Sequence, residues 1–272
     1  MRAYRVLFDT LAYWWPNSPM FQRILLSFIL LSACISASAG EGDWAAKNDI
    51  YRTVKSPVPM VIDGVREEAW GRAEARLLGH FHGVELPSDR QDTVFRMLWD
   101  EEHIYLLFES QDRYLQSAIT ERNGPTFMDD CAEFFVIPAD APLDFHLGFE
   151  VNLNSVANDF VFITNLSGGQ SASVKSYDPD FAVAVVLDGT LNDNSDIDRG
   201  WTMEFAIPRA LFLGIEKFSP IEPGNRWAFQ ALRQERNDPE IGRRVWSTLF
   251  PLPEGSREVH DPITFGLLEF VE

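Results

Sequence analysis

The chain has 272 residues, 46% hydrophobic and 24% charged, which is enough apolar material for a sizeable core and excludes disordered, collagen-like and low-complexity classes. Its 23 Lys and Arg stand against 41 Asp and Glu, a formal charge of −18, and no basic cluster could neutralise a phosphate backbone, which argues against nucleic acid as a partner. Cys34 and Cys131 are too few for a disulfide framework or a four-thiolate zinc site.

The N-terminal region reads as a targeting segment. Arg23 precedes the apolar block ILLSFILLSA at 24–33, and small residues follow through Ala37-Ser38-Ala39. That is the layout of a secretory signal peptide cleaved after Ala39, and the block is too short to span a membrane. Met20, with its cationic Arg23, is a better start than Met1. A competing reading takes Leu31-Ser32-Ala33-Cys34 as a lipobox, with a lipid anchor on Cys34. Either way the chain is expected to be exported to the periplasm, cell envelope or medium, with no transmembrane segment in the mature form. Removing 1–39 leaves the remainder more acidic still, which keeps an exported protein soluble.

Residues 40–56 read as an irregular lead-in, and 57–272 as one domain. Strand signals recur at 58–62, 77–81, 93–99, 104–109, 133–137, 145–153, 159–164, 181–187, 201–207, 227–233 and 265–271. Side chains two apart share a face in TVFRMLW at 93–99 and WTMEFAI at 201–207. Loops at 152–158, 166–171 and 191–200 are rich in Gly, Asn and Asp. Helix is confined to two short candidates, 67–73 and 209–213, the second following Pro208. The spacing predicts an all-β antiparallel β-sandwich of immunoglobulin-like or jelly-roll-like type. Cys131, within DDCAEFFVI, reads as a small buried hydrophobe.

Particular segments match a known pattern in order and spacing: PMVIDG at 59–64 with Glu68 and Trp70; MLWD at 97–100 with Ile104-Tyr105-Leu106; Asp130 with Glu133-Phe134-Phe135; FEVN at 149–152; GWTME at 200–204 with Ile207-Pro208; Trp246-Ser247; and Asp261-Pro262 with Phe265-Gly266. Across most of 57–272 the chain resembles the family 9 carbohydrate-binding modules and their wider DOMON-like group of exported sandwich domains. The resemblance implies a non-catalytic domain, accessory to carbohydrate catabolism, that holds a sugar or a polysaccharide end in a slot between two aromatic rings. The family's stacking residues fall on Phe127 and Trp246, its sugar carboxylate on Glu133, and its polar strand on Gln230 and Arg233. Phe127 stands where the family has Trp, and Glu150 where it has Arg.

A pyranose offers two apolar faces and a belt of hydroxyls, so two rings, a carboxylate and a guanidinium suit it. The strong negative charge favours a neutral saccharide as partner. No catalytic elbow, P-loop or zinc-protease motif occurs, and Asp129, Asp130 and Glu133 alternate or adjoin within one strand rather than flanking a cleft. The loop at 192–198 carries Asp193, Asp196 and Asp198, an oxygen-rich set that calcium could use, without the EF-hand pattern. His80 and His82 share a strand face without an evident third ligand. Two alternative functions remain: haem binding, for which Met97, Met128, Met203 and His146 supply axial ligand types without a distinguished pair, and an envelope interaction protein.

Overall fold

Along 93–99 and 201–207 the alternating apolar side chains bury one face of the backbone, and both segments are strands. A computed structural model describes residues 49–83, 90–215, 219–238 and 243–272. The targeting segment 1–39, with Met20, Cys34 and the Ala39 cleavage point, lies outside the described residues. The described residues form fourteen strands: β1 (Ile50–Lys55), β2 (Arg76–Leu77), β3 (His80–Gly83), β4 (Thr93–Trp99), β5 (His103–Gln111), β6 (Cys131–Ile137), β7 (Phe145–Asn152), β8 (Ala157–Leu166), β9 (Gln170–Val174), β10 (Ala182–Asp188), β11 (Gly200–Pro208), β12 (Arg226–Asp238), β13 (Arg243–Thr248) and β14 (Gly266–Val271). Among the described residues there is no α-helix.

The strands run β10-β11-β5-β4-β1-β14-β12-β6-β7-β8-β9 in one open sheet, with β13 on β12, β3 on β13 and β2 on β4. The sheet doubles over on itself as a sandwich. Phe95 of β4 meets Phe229 of β12 at 6.2 Å between ring centroids, and Phe149 of β7 meets Phe181, just before β10, at 5.4 Å. Between the layers lies a core whose apolar part includes Phe95, Phe108, Phe134, Phe149, Phe205 and Phe229, all fully buried.

The antiparallel expectation holds for every pairing except those of β1, which is parallel to both β4 and β14. β1 falls within the expected irregular lead-in. Tyr51 explains why it is ordered: its hydroxyl donates to Glu74 O at 2.6 Å and accepts from Met97 N at 2.9 Å, inside the core. Residues 58–62, expected as a strand, instead cross an outer face of the sheet, where Met60 and Ile62 pack on Trp70, Leu98, Tyr105 and Leu107. The two expected helices are single 3-10 turns, Glu68–Arg72 and Arg209–Phe212.

Several residues that carried the family resemblance are scaffold. Glu204 accepts from Asp63 N at 3.1 Å, Gly64 N at 2.8 Å and Trp70 Nε1 at 2.8 Å, pinning the crossing segment to β11. Asp100 accepts from Glu102 N and His103 N, both at 2.8 Å, and from Tyr105 Oη at 2.6 Å, closing the β4–β5 turn.

Candidate functional site

The layer formed by β12, β6, β7, β8 and β9 has a second face, away from the core. Cross-strand register sets Glu133 opposite Glu150, Glu150 opposite Asn158, Gly148 opposite Phe160 and His146 opposite Phe162. Because side chains alternate, Asn158, Phe160, Phe162 and Thr164 of β8 share this face with both glutamates. Their neighbours Ala132, Phe134, Val136, Leu147, Phe149 and Val151 fill the core. Gly148 has a specific task here. A Cβ at that position would meet Phe160 Cε2 at 2.3 Å, so only glycine lets the Phe160 ring lie over β7.

On this floor opens a cavity of about 400 Å³, a size suited to a small ligand. Glu133, Glu150, Asn158, Phe160 and Phe162 form its base, and Phe127, Gln234, Lys175, Arg244 and His260 stand around it. Phe127 is delivered by the 3-10 turn Thr126–Met128. That turn is held from below: Asp129 accepts from Ile119 N at 2.9 Å, Asn152 Nδ2 at 2.8 Å and Ser117 Oγ at 3.2 Å. The Arg244 guanidinium lies 5.3 Å over the Phe127 ring and donates from Nε to Gln234 Oε1 at 3.0 Å.

Two acceptors at the base have no hydrogen-bond partner although both are buried: Glu133 Oε1 and Asn158 Oδ1. Buried polar atoms in proteins are nearly always satisfied, so such atoms at the bottom of a cavity mark where donors of a ligand belong. The Asn158 amide donates to Glu150 Oε2 at 2.6 Å, which leaves its own oxygen directed to nothing else.

Burial pushes the Glu133 carboxyl well above the usual carboxylate range, and repulsion from Glu150 adds to it. Burial likewise pushes Glu150 up to about 7, against the opposing pull of Asn158, Lys175, Thr126 and Arg244. The folded state therefore retains protons that the unfolded chain releases above pH 4.5. The stability associated with this pair is present at low pH and is lost as pH rises through about 7. His146 and His260, joined Nε2 to Nδ1 at 3.1 Å, act in the opposite sense, since burial holds His146 well below its usual range and His260 at about 4. Glu150→Gln isolates the carboxyl contribution. Thermal unfolding of the variant and the parent should show the variant gaining steadily on the parent between pH 5 and 8, and a pH-independent difference would refute this linkage.

Of the residues expected at the site, Phe127 and Glu133 stand at the cavity and three do not. Arg233 projects from the opposite face of β12, fully buried, with Nη2 on Asp112 Oδ2 at 2.9 Å and Nη1 on Gln111 O at 2.8 Å. Gln230 faces the right way, but both ends of its amide are held by the Phe250 backbone, at 3.1 and 3.0 Å. Trp246 lies in strand β13, beside Gln234 and outside the cavity lining, its ring stacked on His82 at 6.0 Å. The rings that accompany Phe127 are Phe160 and Phe162. The alternation of Asn158, Phe160, Phe162 and Thr164 was present in the sequence, as a row mixing rings with polar groups.

The remaining candidates are dispersed. Asp198 spends both oxygens on Leu115 N and Thr190 N, at 2.9 and 2.7 Å, Asp193 accepts from Ser195 N at 2.9 Å, and Asp196 is exposed. Among the described residues no three His, Cys, Asp or Glu side chains converge as a metal site. Met97 and Met203 lie in the core, Met128 is exposed, and His146 is on the other face of its sheet, so these four do not meet around one plane. Asp130 accepts from Gln116 N and Arg236 N, both at 2.6 Å. Cys131 is buried, and burial pushes its thiol up. No helix among the described residues is long and apolar enough to cross a membrane.

Comparison with solved structures gives the same fold. A family 9 carbohydrate-binding module from Caldicellulosiruptor kristjanssonii, in complex with cellotriose, superimposes with a TM-score of 0.55 at 17% identity, over 82% of this chain and 94% of that one. Such a module from the same organism in complex with glucose gives 0.54 at 18% identity, over 80% and 95%. A Bacteroides uniformis protein named as a candidate carbohydrate-binding protein gives 0.61 at 17% identity, over 82% and 100%. No curated protein matches the chain at a significant level. The family model described as carbohydrate family 9 binding domain-like matches residues 62–271, and the chain belongs to that family.

Proposed function

We propose that this domain binds a saccharide without cleaving it, in the cavity above β6, β7 and β8. The observation that carries this reading is the pair of buried, unpartnered acceptors, Glu133 Oε1 and Asn158 Oδ1, beneath the rings of Phe127, Phe160 and Phe162. Hydroxyl groups are the donors that such acceptors lack, and aromatic faces take the C–H surface of a sugar. Cations at the rim come from Lys175, Arg244 and Arg257 rather than Arg233. The bound sugars of the C. kristjanssonii modules, cellotriose and glucose, support a neutral ligand.

Family membership and the placement of the carboxyls support binding without catalysis. Glu133 and Glu150 are direct cross-strand neighbours rising from one floor. A glycosidase places its two carboxyls on either side of the scissile bond, whereas both of these rise from the same side of the cavity. Water competition and ordering costs place the affinity on the order of 10–100 µM, about 5.5–7 kcal/mol. A glycan array followed by calorimetry tests the reading: binding to a neutral glycan with no product released is expected, and silence across the array refutes it. The segment 24–39 supports export, and mass spectrometry of protein from a native-like host should find an N-terminus at Gly40 or a lipidated Cys34; unprocessed cytoplasmic chain would contradict it.

A further inference from the structure

At the end of the sheet away from the cavity, β10 pairs with β11 alone. Which of its backbone groups face outward follows from the next ladder. Asp112 N donates to Arg199 O at 3.3 Å, so odd-numbered residues of β11 turn their N–H and C=O groups to β5 and even-numbered ones turn theirs to β10. Even-numbered residues of β10 are their partners, which leaves Val183, Val185 and Leu187 aiming N–H and C=O away from the sheet. Among the described residues no backbone hydrogen bond meets these three. Proteins blunt such edges with charge, proline, a bulge or shortness. β9, at the opposite end of the sheet, is the polar run QSASV and meets β8 in a shifted register. β10 reads AVAVVLD, keeps its register throughout and carries no charge before Asp188.

No residue of β10 is buried, although Val183, Val185 and Leu187 pack on the core from one side. On the other side exposed Val186 lines an open groove together with exposed Val65 and Leu77. A second copy of this strand complements all of these features. About a twofold axis at Val185 the two strands run antiparallel, Val185 opposite Val185, Val183 opposite Leu187 and Ala184 opposite Val186, and about six backbone hydrogen bonds close between them. Every facing pair within 183–187 is then apolar. The same register sets Asp188 opposite Ala182 and carries Arg199, 80% exposed and paired with Asp188, toward the exposed Asp180 of the second copy. That contact offsets part of the repulsion between two chains of formal charge −18.

We propose that β10 pairs with β10 of a second copy, joining two chains in a symmetric dimer through one continuous sheet. Sedimentation velocity of the purified protein from about 1 to 200 µM, at about 150 mM salt to screen the net charge, compares the parent with two variants. Val185→Pro removes an outward N–H without touching the β11 ladder, and Val186→Lys puts a charge on the apolar face of the joined strands at an exposed position. The parent should double in mass across this range, and amide hydrogen exchange over 182–187 should slow as it does. Both variants should associate at least tenfold more weakly, with circular dichroism like the parent's. Val186→Lys keeps the test valid if proline loosens β10 itself. A parent that stays monomeric at the highest concentration overturns the proposal. So does a dimer that persists in a folded variant, or one that leaves exchange over 182–187 unchanged.

Discussion

Arg233→Ala should destabilise the domain by about 3–5 kcal/mol, the usual cost of removing one partner from a fully buried ion pair. At roughly 2–4 °C per kcal/mol for a domain of this size, its Tm should fall by about 6–20 °C. The reason lies in what the guanidinium holds. It joins Asp112 on one side, reaches Gln111 O and Thr93 Oγ1 on another, and lies 5.6 Å over the Trp201 ring. Without it the Asp112 carboxylate is left in the core with Trp201 Nε1 and Tyr114 N as its neighbours. A role at the sugar would predict the reverse, lost binding at unchanged Tm. Differential scanning calorimetry with a binding titration on whatever remains folded separates them.

Glu133→Ala should weaken saccharide binding by about 2- to 12-fold, since a hydrogen bond to a carboxyl held neutral contributes roughly 0.5–1.5 kcal/mol. Its effect on stability should be small or favourable, because the variant removes a buried carboxyl that repels Glu150 and leaves one oxygen unpartnered. Loss of affinity together with retained or raised Tm is the signature of a residue kept for its ligand. An unchanged titration curve would place the sugar elsewhere.

Strand positions were legible wherever one face is apolar and the other polar, as in 93–99 and 201–207. β1 was missed because IYRTVK has its buried residues, Tyr51 and Thr53, held by hydrogen bonds and long-range packing rather than by a run of hydrophobes. β13 was missed for a related reason: RRVWST reads as a polar loop, yet β12 and β3 pair with it on both sides. At the site, the segments that carry Phe127 and Glu133 could be found by resemblance. The facing of Arg233 could not, since a strand's alternation gives two faces without saying which is the core. Arg233 follows Phe229 and Ala231 onto the core face, where its charge is tolerated because Asp112 and Glu235 pair with it there. The neighbouring even-numbered residues Leu232 and Gln234 share the outer face with Glu133, whose partner across the ladder is Leu232. Phe160 and Phe162 were hidden by the opposite error, since rings on a strand ordinarily mean core.

The most direct measurement is a crystal structure of the complex with the saccharide that binds best. One sugar unit should lie between Phe127 and the Phe160–Phe162 row, with hydroxyls within hydrogen-bond distance of Glu133 Oε1 and Asn158 Oδ1. A sugar bound instead in the groove beside Arg66, Glu109 and Trp201 on the other layer, with the Glu133 cavity empty, would contradict the account.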